Sequence, residues 1–431
     1  MDTARPKSGS AARPGTLTPT RLALTVLLLA GAGCVRDKPR ITPGLTRADG
    51  WTSGPVASPA GSTTTFHVRT EVIPLGALPY DGQVLPLVSP GGRYLAVQDG
   101  APPTWSTLLA EFAATPPTAT RLGVYDMAAR PPARVELPEP LPRGLVLGRA
   151  CDDRGFLVEA PRDDGSRWIG RVGWLGGGVE WLVQGTAVNA HAALTRDGDA
   201  LFTRRSPAGD RAALVLRSAD GHEAELSDPA GSYAMPLVAG DPRTAHALVF
   251  SPQGLELETL RIVEDPPGGG RRVLVPAGAR SRLASRGDAA LAYQVAAPAQ
   301  LPWPGDTLRD PRAPVVLYHP RIGRMAVFDE ASGSFVALAP GSIAAAHWPR
   351  AGREGFFCTA PQGLVFTPTP TPEERGSLRP RPPDARVLAS PYVPRLTGDP
   401  QRPLLLFGPD PQDRSRLQLF QMRLDGGAPP Q

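Results

Sequence analysis

Apolar residues in this chain come in short runs, and each run follows a polar turn. The first is Gly91–Val97, and the pattern returns at Arg154–Val158, Asp197–Phe202, Gly240–Phe250, Gly287–Tyr293, Gly352–Cys358 and Gly398–Phe407. The turn glycines at 92, 155, 198, 240, 287, 352 and 398 are spaced by 63, 43, 42, 47, 65 and 46 residues. Runs this short, bounded by Gly and Asp, predict strands. A second strand is expected after each: Leu122–Tyr125, Trp168–Val172, Ala213–Leu216, Leu257–Ile262, Met325–Phe328, Leu364–Phe366 and Leu417–Met422. A third follows in six units, at Arg134–Leu137, Val179–Val183, Glu223–Leu226, Arg272–Val275, Phe335–Leu338 and Arg386–Leu388. A further apolar run precedes most turns, as in Val84–Val88 and Leu145–Leu147. Helical patterns are almost absent.

Four short strands per forty-odd residues mark the blade of a β-propeller, in which each small sheet depends on its neighbours. The turns Ser89–Val97 and Thr195–Phe202 resemble the Ser-Pro-Asp-Gly-Lys turns of Tol-type and WD-repeat-like propellers, without the Trp-Asp dipeptide of true WD repeats. The resemblance implies an all-β, seven-bladed propeller over residues 64–426 and is silent on activity. Six or eight blades stay open, because the unit at Gly240 is irregular. The seventh unit lacks its last strand, since the chain ends in Gly426–Gln431. Thr64–Arg69 through Val72–Leu75 is expected to supply it, closing the ring and removing two exposed edges.

Ahead of the repeats, Leu22–Ala30 is an apolar run too short to span a bilayer comfortably, preceded by Arg5, Lys7, Arg13 and Arg21. That is the layout of a secretory signal peptide. Gly31, Ala32 and Gly33 stand directly before Cys34, which resembles a bacterial lipoprotein cleavage box, with Gly31 where that family usually has Leu. The resemblance implies cleavage of residues 1–33 and lipid on Cys34. The protein would then be held on the inner or outer membrane, facing the periplasm or the cell exterior. Residues 34–63, rich in Pro, Gly, Ser and Thr, read as a disordered tether, and residues 427–431 as a disordered tail.

Charge changes this picture little. The chain carries 46 basic and 41 acidic residues, a net of +5. Four bases and one acid lie in residues 1–33, so the remainder holds only +2. No nucleic-acid partner is expected on that balance. Lys7 and Lys38 are the only lysines; the other bases are arginines, as coding from a GC-rich genome produces. Cys151 and Cys358 sit beside strand-like runs and are expected to be separate buried thiols.

With the run before each turn counted as a blade's first strand, both long insertions, 99–120 and 296–323, are expected in loops between second and third strands, on one face. Trp105 and Phe112 in the first, with Trp303, Tyr318 and His319 in the second, are candidate partner-binding residues; packing onto their own blades is the alternative. Arg93, Arg154, Arg196, Arg243, Arg286, Arg353 and Arg402 recur at the repeat turns and are a candidate anion-binding ring, or else a solvated face. No zinc pattern, Walker loop, His-Glu-x-x-His or Gly-x-Ser-x-Gly appears. No metal site and no cofactor are expected. His191 and His246 lie in or beside apolar strands and read as hydrogen-bonded core groups. The expected function is a non-catalytic, membrane-tethered scaffold with an envelope protein or glycan partner. The alternative is a propeller enzyme, a glycan lyase or hydrolase, with its site at the channel mouth.

Overall fold

A computed structural model describes residues 56–57, 63–64, 69–79, 86–99, 121–195, 197–206, 209–238, 241, 243–267, 270–288, 314–319, 321–342, 344–348, 355–369, 385–388, 393–396, 404–409, 413 and 416–425. Among these, regular structure is all strand, apart from one turn of 3-10 helix at Arg286–Asp288. β1 (Val56–Ala57) and β2 (Thr63–Thr64) form a small ladder. β3 (Arg69–Pro79) waits for the other end of the chain. The first sheet is the antiparallel meander β4 (Leu87–Val88), β5 (Tyr94–Asp99), β6 (Arg121–Asp126) and β7 (Ala133–Arg134).

The second is β8 (Val146–Cys151), β9 (Gly155–Pro161), β10 (Arg167–Gly173) and β11 (Val179–Val183); the third is β12 (Val188–Leu194), β13 (Ala200–Arg205), β14 (Ala213–Arg217) and β15 (Glu223–Leu226). A short parallel contact, Arg167 against Val188, joins them into one eight-stranded sheet. β16 (Ser232–Val238), β17 (Thr244–Ser251), β18 (Gly254–Glu264), β19 (Arg272–Pro276) and β20 (Ser281–Ser285) follow, with β19 and β20 both laid along β18. Next come β21 (Val316–His319), β22 (Arg324–Asp329) and β23 (Ser334–Ala337). The sheet β24 (Ala344–Trp348), β25 (Gly355–Ala360), β26 (Gly363–Pro368) and β27 (Ala385–Leu388) precedes β28 (Val393–Leu396), β29 (Leu404–Pro409) and β30 (Arg416–Asp425). β3 pairs antiparallel with β30 from Arg69↔Asp425 to Pro79↔Arg416. The last sheet is therefore completed from the N-terminal side, as the missing strand predicted. β3 lies at that sheet's edge, where Pro74, which has no N–H, is tolerated.

Period-2 alternation explains how so few residues per strand suffice. On β9, Phe156 and Val158 point into the core shared with the first sheet, against Leu87, Ala96 and Val124; Leu157 points into the core shared with the third, against Leu194, Phe202 and Val215. Both faces are buried, so the strand reads as one apolar run. The same arrangement passes from sheet to sheet. Leu214 and Leu216 meet Val249 and Leu260; Leu255 and Leu257 meet Phe328 and Phe335. Met325 and Val327 meet Phe356 and Val365; Phe357 and Phe366 meet Leu404 and Met422. The circuit returns to its start where Leu75, Leu405, Phe407 and Leu419 pack on Val88, Leu95 and Val97. A closed circuit of antiparallel meanders packed face to face is a β-propeller.

One sequence expectation is corrected. Val316–His319 was expected within a loop and instead forms β21, paired along β22; its Val, Leu and Tyr suit a strand better than the prolines before it suggest. Cys151 and Cys358 are buried thiols rather than a disulfide pair, as read from sequence, and burial pushes the Cys358 thiol up to about 12.

Candidate functional site

The second and third sheets meet at a rim built of charged side chains, and two adjoining cavities open there. The first, about 560 Å³, is lined by the run Trp181–Ala187 together with Arg204, Arg217 and Glu223. The second, about 380 Å³, shares Thr186, Ala187 and Arg204 and adds Arg211, Glu225, Ser227 and Asp228. Neither lining includes a histidine or a cysteine.

Local sequence sets the wall. Gly170 on β10 faces Trp181 on β11, and a Cβ on Gly170 would fall 2.5 Å from Val179 Cγ1 and 3.0 Å from Trp181 Cε3. The glycine thus makes room for the indole, which meets Trp168 edge-on at 5.5 Å. Trp168 is fixed in turn: its Nε1 donates to the Gly185 carbonyl (2.9 Å), and Arg162 stacks over its ring at 4.1 Å.

The opposite wall is electrostatic. Arg204 Nη1 donates to Glu223 Oε2 at 2.7 Å and Arg217 Nη1 to Glu223 Oε1 at 3.2 Å. Burial would raise the Glu223 carboxyl, but the two guanidiniums hold it below the usual carboxylate range. Arg204 Nε also donates to Asn189 Oδ1, and Asn189 Nδ2 to the Arg167 carbonyl (3.0 and 2.9 Å). Beneath lies an ion pair almost without solvent: Arg167 Nη1 to Glu159 Oε2, 2.9 Å, with side chains 3% and 8% exposed. Glu159 Oε1 accepts the His191 backbone N–H at 2.7 Å. That bond holds a bulge in β12 where His191 has φ 58°, a left-handed conformation unusual for a residue with a side chain. His191 Nδ1 meets Thr203 Oγ1 at 3.1 Å.

Close by, Arg280 bridges two acids, at 2.7 Å from Asp228 Oδ2, a contact of charges rather than an aligned hydrogen bond, and 3.2 Å from Glu258. Tyr233 donates its hydroxyl to Glu258 at 2.8 Å, and burial followed by that carboxylate pushes its pKa up. His246, fully buried, sits 3.1 Å from Glu330 and 3.2 Å from Thr259, a hydrogen-bonded core group like His191. Among the described residues no three His, Cys, Asp or Glu side chains converge as metal ligands.

The residues singled out from sequence are scattered relative to this rim. Tyr318 is half-buried on β21; His319 is buried, its ring T-stacked on Phe335 at 4.9 Å, so neither stands on an exposed loop. Arg93 pairs with Asp126 (3.1 Å) and Arg154 with Glu180 (3.6 Å), while Arg243 and Arg286 are exposed. Cys34, Trp105, Phe112, Arg196, Trp303, Arg353 and Arg402 lie outside the described residues. Sequence reading missed the rim. The one signal it offered was Gly170 opposite Trp181, a glycine answering a large ring across a hairpin.

Compared with protein families and with curated proteins, the chain finds no match. Solved structures give distant likenesses. TolB from Acinetobacter baumannii is 15% identical, over 52% of this chain and 47% of that one, with a TM-score of 0.30. The Agrobacterium tumefaciens protein described as TolB is 14% identical, over 63% and 89%, at 0.36. The Dos1 propeller is 9% identical, over 81% and 95%, at 0.43. The chain thus spans about half the length of the Acinetobacter protein. The propeller fold itself stands on the strand pairing and the circuit of cores given above.

Proposed function

We propose that this chain is an exported, lipid-anchored propeller of seven blades that serves as a binding scaffold in the bacterial envelope. Support for the anchor is the apolar run ending at Cys34. Support for seven blades is the set of seven turn glycines, taken with the sheet-by-sheet packing. Recognition rather than chemistry is favoured by one observation. In the first rim cavity Arg204 and Arg217 both bind Glu223, and no histidine or cysteine reaches either lining to serve as base or nucleophile.

The anchor is tested by metabolic labelling with a fatty acid. Cys34→Ala should lose the label and leave the membrane fraction. Unchanged labelling would show that the lipid, if any, is carried elsewhere.

A further inference from the structure

The first rim cavity carries more donors and more positive charge than its own acid satisfies. Arg204 and Arg217 contribute two charges and Glu223 removes one, leaving +1 on the lining. Arg204 uses Nε and Nη1, and Arg217 uses Nη1 on Glu223 and on the Gly221 carbonyl. Arg204 Nη2 and Arg217 Nε and Nη2 carry no partner among the described residues. Both side chains are about a quarter to a third exposed, so these N–H groups face the cavity's solvent. A fork of guanidinium donors with a surplus charge suits a carboxylate, one of the groups whose geometry Arg matches bidentately.

The other wall says what bears that carboxylate. Every residue from Trp181 to Ala187 lines the cavity. Successive residues of an extended segment point to opposite sides. Only Trp181–Val183 belong to β11, and Gln184–Ala187 form the bend that follows it; a cavity that touches three consecutive strand residues runs along their main chain, not one face. β11 pairs with β10 alone among the described strands, leaving its other edge without a strand. A free edge beside an Arg fork suits an extended peptide, whose main chain adds to the edge while an acidic side chain reaches the guanidiniums. The half-buried Trp181 offers that peptide an anchoring surface.

We infer that the groove between β11 and the Arg204–Glu223–Arg217 cluster binds an extended acidic peptide segment of a partner protein. This rests on the scaffold reading above and names its partner's chemistry; it does not depend on lipidation. The test uses the full chain in detergent against a library of random heptapeptides with amidated C-termini. Enriched peptides should share Asp or Glu at one position. For an enriched peptide, Arg217→Gln should weaken binding about tenfold, the loss of one charge-assisted contact. Glu223→Gln should strengthen it several-fold, because the competing carboxylate is gone. A purely structural role would make both variants weaker. Two results overturn the inference: enrichment without an acidic position, or equal binding by all three proteins. Tight binding of an oligouronate with no acidic peptide enriched would assign the groove to a glycan instead. Any of these can occur with Cys34 labelled or unlabelled, so this site and the anchor fail separately.

Discussion

Where the last sheet meets the first, the described core is a cluster of apolar side chains: Leu75, Leu405, Phe407, Leu417 and Leu419 against Val88, Leu95 and Val97. Where the second meets the third, a similar apolar centre of Leu157, Ile169, Leu194 and Phe202 is topped by Glu159, Arg167, Asn189, Arg204 and Glu223. The first junction has a task that burial alone performs. It must join strands that are distant in sequence, and hydrophobic burial with a ten-pair ladder offers no charge for pH to titrate or for salt to screen. The second already has covalent continuity from Val183 to Val188 and a parallel bridge at Arg167. It can carry a polar rim because its closure is secured by the chain itself. The difference teaches that a junction the chain itself spans can carry a polar rim, whereas the junction that closes this ring is packed with carbon.

The sharpest way to break this comparison is to remove the seal. Deleting residues 69–79 strips β30 of its partner strand and takes Leu75 and Leu78 from the closing core. Loss of a single cooperative thermal transition is expected, followed by far-UV circular dichroism. A variant that melts cooperatively at the wild-type temperature would place closure elsewhere.

Next in size is the buried pair at the polar junction. Glu159→Ala leaves the Arg167 charge inside the protein and frees the His191 N–H. The cost should be about 3–5 kcal/mol, the usual penalty for stranding one member of a buried ion pair. Replacing both, as Glu159→Leu with Arg167→Met, should recover most of it, since no charge is then stranded. If the double variant is as unstable as the single one in urea titrations, the pair contributes more than mutual neutralisation.

The repeat was legible because each unit pairs a Gly-containing turn with an apolar run, and Leu145–Leu147 or Leu404–Phe407 could hardly be solvent-exposed. Closure was legible because an incomplete seventh unit and a spare N-terminal run imply each other. β21 was not, since Val316–His319 follows a proline-rich stretch that reads as loop. Nor was the groove. Its residues at 181–187, 204, 217 and 223 come from four strands and the bend after β11, and Arg217 or Glu223 taken singly looks like any solvated charge. Spacing along the chain carries no trace of side chains that meet only after the strands pair.

A third junction sharpens the comparison further, because it buries a titratable group with no counter-charge. His319 on β21 lies against Phe335, and its Nδ1 has no hydrogen-bond partner among the described residues. Burial, with the nearby Arg321 charge, pushes its pKa down to about 4. An unfolded histidine titrates near 6.5. Between these values the unfolded chain holds a proton that the folded chain refuses, so stability rises with pH across that window. It should fall by on the order of 3 kcal/mol as pH drops from about 6.5 to about 4, then stop changing on this group's account. Glu223, Asp228 and Glu330, held below the usual carboxylate range by their partners, add their own losses only in a more acidic window. His319→Phe keeps an aromatic ring against Phe335 and removes the titration, so urea midpoints between about pH 5 and 6.5 should flatten relative to wild type. An unchanged slope would mean that protonation reaches this junction freely, and that its burial is not the solvent-excluding kind that seals the ring at Phe407.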